Sequence, residues 1–161
     1  MSRNRNSAKQ AGARRVILVP ATEIKTGKPK NGMSILSFRV DGIPATQGSK
    51  RYVGRGRMVE MNKKLPAWRK AVTDAARVVA PETPLDCPVS VQAVFYLPKP
   101  QKPRFNVPAT PGDLDKYLRA LGDGITGTII KDDARIVHWN AEKRYAVNRK
   151  PGADVTVKTV Q

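Results

Sequence analysis

The apolar positions fall into blocks of two periods, and they predict elements in the order strand, helix, strand, helix, strand, strand. In residues 34–42, Ile35, Phe38 and Val40 stand among polar neighbours and close on Gly42, a strand pattern. Trp68, Val72, Ala75, Ala76 and Val79 recur at steps of three and four, which predicts an amphipathic helix that stops before Pro81 and places Trp68 in the core. Asn62 suits its N-cap, Pro66 suits its first turn, and residues 57–61 form a short strand before it. Val89, Val91, Ala93 and Phe95 alternate along residues 89–97 as a strand with one buried face. A second helix follows, with Leu114, Tyr117, Leu118, Leu121 and Ile125 on one face, ended by Gly122, Gly124 and Gly127. Residues 136–147 and 153–160 read as two closing strands joined by a turn at 148–152. The fold class this predicts is α+β, a mixed sheet carrying two helices.

Between these blocks lie stretches without an apolar period. Residues 1–32 form a basic, flexible arm bearing Arg3, Arg5, Lys9, Arg14 and Arg15, apart from a short strand at 16–21 and a loop at 26–32, so the domain proper is 33–161. In residues 44–57, Gly48, Gly54 and Gly56 are interleaved with Lys50, Arg51, Arg55 and Arg57 around Tyr52. Glycine lets backbone amides approach a phosphate and the cations neutralise it, so the segment reads equally as a backbone-binding element or as a flexible solvated loop, and its spacing is not that of a Walker loop. Lys63, Lys64, Arg69 and Lys70 flank the first helix on its solvent side. The proline-rich loop 98–112 carries Lys99, Lys102 and Arg104; a loop of this length is usually functional or disordered, and its delivery of the chain to Asp113 favours a functional one.

Charge narrows the partner. The chain has 161 residues, one domain by length, with 30 Lys and Arg against 13 Asp and Glu and a formal net charge of +17. A polyanion is the expected partner, with nucleic acid first. A single cysteine (Cys87) and a single histidine (His138) exclude a disulfide, a zinc finger, a Cys/His dyad and a Ser-His-Asp triad within one chain. Catalysis would run on carboxylates, lysines or a metal. The apolar run 16–19 is too short for a signal sequence or membrane span, so the expectation is a cytoplasmic protein with no membrane partner and no small-molecule cofactor.

Against that basic background, residues 113–133 hold Asp113, Asp115, Asp123, Asp132 and Asp133 with only Lys116, Arg119 and Lys131, a local charge of −2. Crowded carboxylates repel unless a cation sits between them, and a hard divalent metal takes oxygen ligands of this kind. Asp113 and Asp115 share a side of an extended approach, while Asp115, Arg119 and Asp123 follow each other four residues apart down the helix with a drift of only ~40° per step. Asp132 and Asp133 fall at the mouth of the next strand. Asp113, Asp115 and one of the Asp132/Asp133 pair are therefore the candidate ligands of one metal or two. An EF-hand is excluded, because Tyr117 and Leu118 stand where its loop needs an oxygen ligand and a glycine.

The run D-L-D-K-Y-L-R-A-L-G-D-G at 113–124, followed by I-I-K-D-D-A-R-I at 129–136, resembles the signature of the RusA family of Holliday-junction resolvases, small phage-borne endonucleases. In that family D-x-D is followed by Asn, a Lys and an Asp, then by D-D-x-x-I after the helix. The likeness extends more weakly through G-I-P-A-T-Q-G-S-K-R at 42–51, the Trp68-Arg69 pair and the closing strands. It implies a Mg²⁺-dependent (or Mn²⁺-dependent) endodeoxyribonuclease that resolves four-way junctions and other branched DNA by paired nicks in recombination and repair, as a homodimer, in the host cytoplasm if phage-encoded. Residue by residue, it places Asp113, Asp115 and Asp133 as metal ligands, with Asp132 beside them and Asp123 accessory. Two positions depart from the pattern: Lys116 stands where the family has Asn, and Arg119 where it has Lys. Arg119 keeps the cation without being able to give up its proton, so its expected role, with Lys116, is to stabilise the scissile phosphate. Lys50, Arg51, Arg55, Arg57, Lys63, Lys64, Arg69, Lys99, Lys102 and Arg104 are the candidates for gripping the DNA backbone. The rival reading is a non-catalytic basic nucleic-acid-binding protein whose acidic stretch is a capped structural helix and turn.

Overall fold

The sheet is built around β4 (Val89–Pro98), whose sequence VSVQAVFYLP leaves little for solvent. Val89, Val91, Ala93, Phe95 and Leu97 are buried on one face, and Tyr96 is buried on the other. Such a strand does not suit a sheet edge, and it runs between two partners. The order is β1 (Ile35–Asp41), β6 (Gly152–Thr159), β4, β5 (Ile136–Ala146). β6 is antiparallel to both β1 and β4, whereas β5 is parallel to β4. The sheet is mixed and carries two helices, as the pattern predicts. The two closing strands are not neighbours, however: the chain leaves β5 through a turn with left-handed Asn148 and returns on the far side of β4. This computed structural model describes residues 33–48, 50–52, 54–55, 58–60 and 62–160, so the N-terminal arm, Arg57 and the side chains of Lys50 and Arg51 lie outside the described residues.

A parallel β4/β5 pair needs a crossover, and α2 (Leu114–Ile125) lies within it. Together with α1 (Leu65–Val79), it covers the face of the sheet that presents Val91, Phe95, Val155 and Val157. Trp68, Val72 and Ala76 of α1 are buried as the helical period requires. The N-cap is Lys64 and not Asn62; the Asn62 carboxamide accepts from the Lys64 N–H at 3.1 Å, turning the chain two residues before the helix begins. The glycine-rich segment, expected as an open loop with one strand beyond it, is a two-stranded ribbon of β2 (Lys50–Tyr52) and β3 (Met58–Glu60).

Gly122 and Gly124 do not end α2, which runs on to Ile125; they lie inside it because other elements press close. A Cβ on Gly124 would meet Val72 Cγ1 at 2.6 Å, so this is where the two helices come nearest. Gly127, with φ of +75°, follows the end of the helix. Among the described residues, no helix is long and apolar enough to cross a membrane.

Candidate active site

Strand alternation and helical drift together decide which acidic residues meet. α2 offers Asp115 and Arg119, one turn apart, to the side facing the start of β5. The chain then passes through Ile129 and Ile130, both fully buried, and a single 3₁₀ turn at Asp133–Arg135 before entering β5. The turn sets Asp133 opposite Asp115 across a cleft of about 300 Å³, lined also by Leu118, Arg119, Gly122, Ile136 and Trp139. A second cleft of about 310 Å³ lies on the other side of the same helix edge, between Lys116 and the segment holding Gln47 and Gly48. Asp115 and Arg119 border both.

Among the described residues most carboxylates form ion pairs, whereas Asp115 and Asp133, like Glu82 and Asp132, do not. Asp41 pairs with Arg39, Asp154 with Arg39 and Arg149, and Glu142 with Arg144. By contrast, neither the Asp115 nor the Asp133 carboxylate accepts a hydrogen bond or forms an ion pair among the described residues, and both are exposed. Arg119 is likewise without an ion pair among the described residues. Two carboxylates and a guanidinium that form no ion pair among the described residues thus share one cleft.

The remaining acidic residues of the stretch have partners of their own. Asp113 is the N-cap residue of α2, but its carboxylate takes the Lys116 ammonium at 2.8 Å and makes no cap hydrogen bond. That hydrogen bond, with the charge of Lys116 and a smaller contribution from Lys143, holds the Asp113 carboxyl below the usual carboxylate range. The hydrogen bond and charge of Asp113 in turn push the Lys116 amine up, which favours its cationic form. Asp132 accepts from the Ala134 N–H at 2.8 Å and caps the 3₁₀ turn. Asp123, two helical steps of four from Asp115, has drifted round towards α1 and pairs with Arg69. Arg69 also donates to Gln47 Oε1 at 2.5 Å, so it is tied into the fold where a surface DNA contact was expected.

Other side chains that the sequence reading did not single out hold this geometry. Lys143 of β5 donates to the Gly112 carbonyl at 2.8 Å, fixing the chain immediately before Asp113. Gly112 has φ of +110°, and a Cβ there would lie 2.7 Å from Tyr117 Oη, so no other residue fits this bend. Asp86 receives Lys131 Nζ at 2.7 Å and Arg135 Nε at 2.8 Å, clamping the turn that carries Asp133 from both sides. Lys143 had a signal: it is in strand phase with Trp139 and Ala141, on the face turned to the helices. Asp86 had none, because its partners lie 45 and 49 residues away.

The exposed cations Arg55, Lys63, Lys64, Lys99, Lys102 and Arg104 remain for a polyanion. Arg104 lies over the Phe105 ring at 5.1 Å. No group of three or more His, Cys, Asp or Glu side chains stands ready to hold a metal among the described residues. The donors nevertheless suit a hard cation. Mg²⁺ keeps several waters and is commonly held by one or two carboxylates together with substrate phosphate, which is what an open cleft with Asp115 and Asp133 can supply.

Comparison with known proteins gives two results. The family described as endodeoxyribonuclease RusA matches residues 41–158, a span that contains every element from β2 to β5, all but the last residue of β6, and both clefts. An uncharacterized protein, YqaN of Bacillus subtilis (strain 168), is 28% identical over 144 residues, covering 80% of this chain and 99% of the relative.

Proposed function

The chain belongs to the RusA family of endodeoxyribonucleases, and from that premise we propose that it resolves four-way DNA junctions by paired nicks, hydrolysing a phosphodiester in the cleft between α2 and the start of β5. The observation that carries this reading is the meeting of Asp115, Asp133 and Arg119 in one cleft without an ion pair among the described residues.

Asp115 and Asp133 would hold a divalent cation, Mg²⁺ with Mn²⁺ as substitute, which would supply charge to the attacked phosphate and acidify the attacking water. Arg119, fixed one turn from Asp115, would bind a non-bridging phosphate oxygen and offset the negative charge that grows as the bond breaks. Lys116 is cationic and beside the same helix edge. An arriving phosphate competes with Asp113 for that ammonium, and the exchange would free Asp113 as a third ligand. Asp132 supports the turn by capping it, and Asp123 supports the helix through Arg69.

The surrounding cations, Arg55, Lys63, Lys64, Lys99, Lys102 and Arg104 together with Lys50, Arg51 and Arg57, would grip backbone phosphates, so affinity should fall steeply with salt. A four-way junction has approximate two-fold symmetry, and a C2 homodimer would offer it two sites. The activity would be exercised on cytoplasmic DNA. The test is a synthetic four-way junction incubated with the protein and Mg²⁺. Paired nicks on opposing strands are expected, and an intact junction would leave only a basic DNA-binding protein.

A further inference from the structure

One wall of the cleft has no use in phosphate chemistry. Beside the charged groups the cleft is lined by Leu118, Ile136 and Trp139, apolar side chains that are only partly buried. Two features keep this wall open. Strand phase turns Trp139 towards α2, in register with buried Val91. Gly122 then leaves room on the floor: a Cβ there would stand 3.7 Å from Ile136 Cδ1 and 3.8 Å from Trp139 Cζ2. A glycine inside a helix is unfavourable by itself, so the space has been kept at a cost in helix stability. The other tryptophan, Trp68, is 2% exposed and belongs wholly to the core, which makes Trp139 the aromatic surface at this site.

From this juxtaposition we infer that Trp139 stacks on the nucleobase adjacent to the scissile phosphate, with Leu118 and Ile136 bordering the base, and so acts as a determinant of substrate structure. The inference rests on the nuclease reading and deepens it. A phosphate held by Arg119 brings its own base and sugar with it, and the apolar wall is the adjoining surface free to take them. Base stacking on an aromatic ring is tolerant of sequence, since every base has a π-face. It is selective for structure, because a base in continuous duplex must first be unstacked, whereas one at a branch point is already loosened. The same wall would therefore favour a junction over plain duplex without reading any base edge.

The full-length protein, titrated in EDTA with a fluorescently labelled four-way junction, should lose the Trp139 share of its emission and keep that of Trp68, while Trp139→Phe shows binding without that loss. Unchanged emission from the parent at saturation, judged by the anisotropy of the label, would overturn the inference. With Mg²⁺, an abasic site beside the mapped nick should lower kcat/KM of the parent about ten-fold. Trp139→Leu should show the same loss on intact junction and none further on the abasic one, and Trp139→Phe should recover most of it. An abasic penalty that persists in Trp139→Leu counts against stacking. If no junction is cut by the parent, the nuclease reading fails, and the emission arm still decides the stacking by itself.

Discussion

Two identical substitutions, two residues apart on α2, should change stability in opposite directions. Gly→Ala inside a helix gains about 1 kcal/mol from propensity. At Gly122 the added methyl meets Asp133 Cβ and Ile136 Cδ1 at 3.7 Å, an ordinary contact that adds burial without strain. Gly122→Ala should therefore stabilise the fold by about 1 kcal/mol. At Gly124 the same methyl would lie 2.6 Å from Val72 Cγ1 and 2.9 Å from Val72 Cβ, and Val72 is itself fully buried in α1. Overpacking of that kind costs about 1–3 kcal/mol, and with a β-branched partner that cannot swing away the upper end applies. Less the gain in propensity, Gly124→Ala should lose about 2 kcal/mol. The two variants should thus differ by about 3 kcal/mol, or roughly 6–12 °C in Tm for a domain of this size. Urea unfolding followed by circular dichroism reads the difference directly, and Val72→Ala should relieve the strain of Gly124→Ala. Two variants within about 0.5 kcal/mol of each other would refute the helix contact and the reason given for both glycines. Gly122→Ala carries a further expectation: more stable than the parent, it should cleave junctions more slowly, because the methyl fills the floor of the cleft beside Asp133.

Three further outcomes follow from the surroundings of the cleft. Asp86→Asn should hardly move the urea midpoint, since exposed ion pairs contribute little, yet it should slow cleavage several-fold by freeing the turn that carries Asp133; a large loss of stability would contradict the clamp role. Lys143→Met removes the donor to the Gly112 carbonyl, and cleavage should fall while junction affinity stays within a factor of about two, whereas a loss confined to binding would mark Lys143 as a phosphate contact. The Asp113–Lys116 pair should be constant through the neutral range. A depressed carboxyl gives stability above its ordinary value of 3.8 and loses it as pH falls through the lower folded value, and a raised amine gives stability below 10.5 and loses it as pH rises through the higher one. In a carboxyl-carbon NMR titration the Asp113 midpoint should lie below 3.8 and move up in Lys116→Met; no movement would mean that Lys116 is not its cause.

Much of this was legible in local pattern. The strand at 89–97, both helices and the placing of Asp115 and Arg119 one turn apart on one side of the second helix all follow from side-chain period, which is a property of neighbouring residues. What stayed hidden depends on distant contacts. The insertion of β4 between β5 and β6 is decided by which strand is most apolar on both faces, and β4 outcompetes its neighbours in sequence for the central place. Gly122 and Gly124 read as a helix end because nothing local reveals that Val72 and Ile136 press on them. Asp123 follows Asp115 and Arg119 down the helix with a drift of ~40° per step, and two such steps bring it within reach of Arg69 on α1. Its partner Arg69 lies 54 residues earlier, so a free DNA contact and a tied structural pair look the same in sequence.

The central claim is that Asp115 and Asp133 do chemistry and do not merely hold the fold. It is tested most directly by measuring binding and cutting of one four-way junction, in Mg²⁺, by the parent, Asp115→Asn and Asp133→Asn. Each variant should bind at least as tightly as the parent, since a carboxylate that repels phosphate is gone, and should cut at least about 100-fold more slowly. Cutting at the parent's rate by either variant, or much weaker binding by a variant that remains folded, would contradict the account.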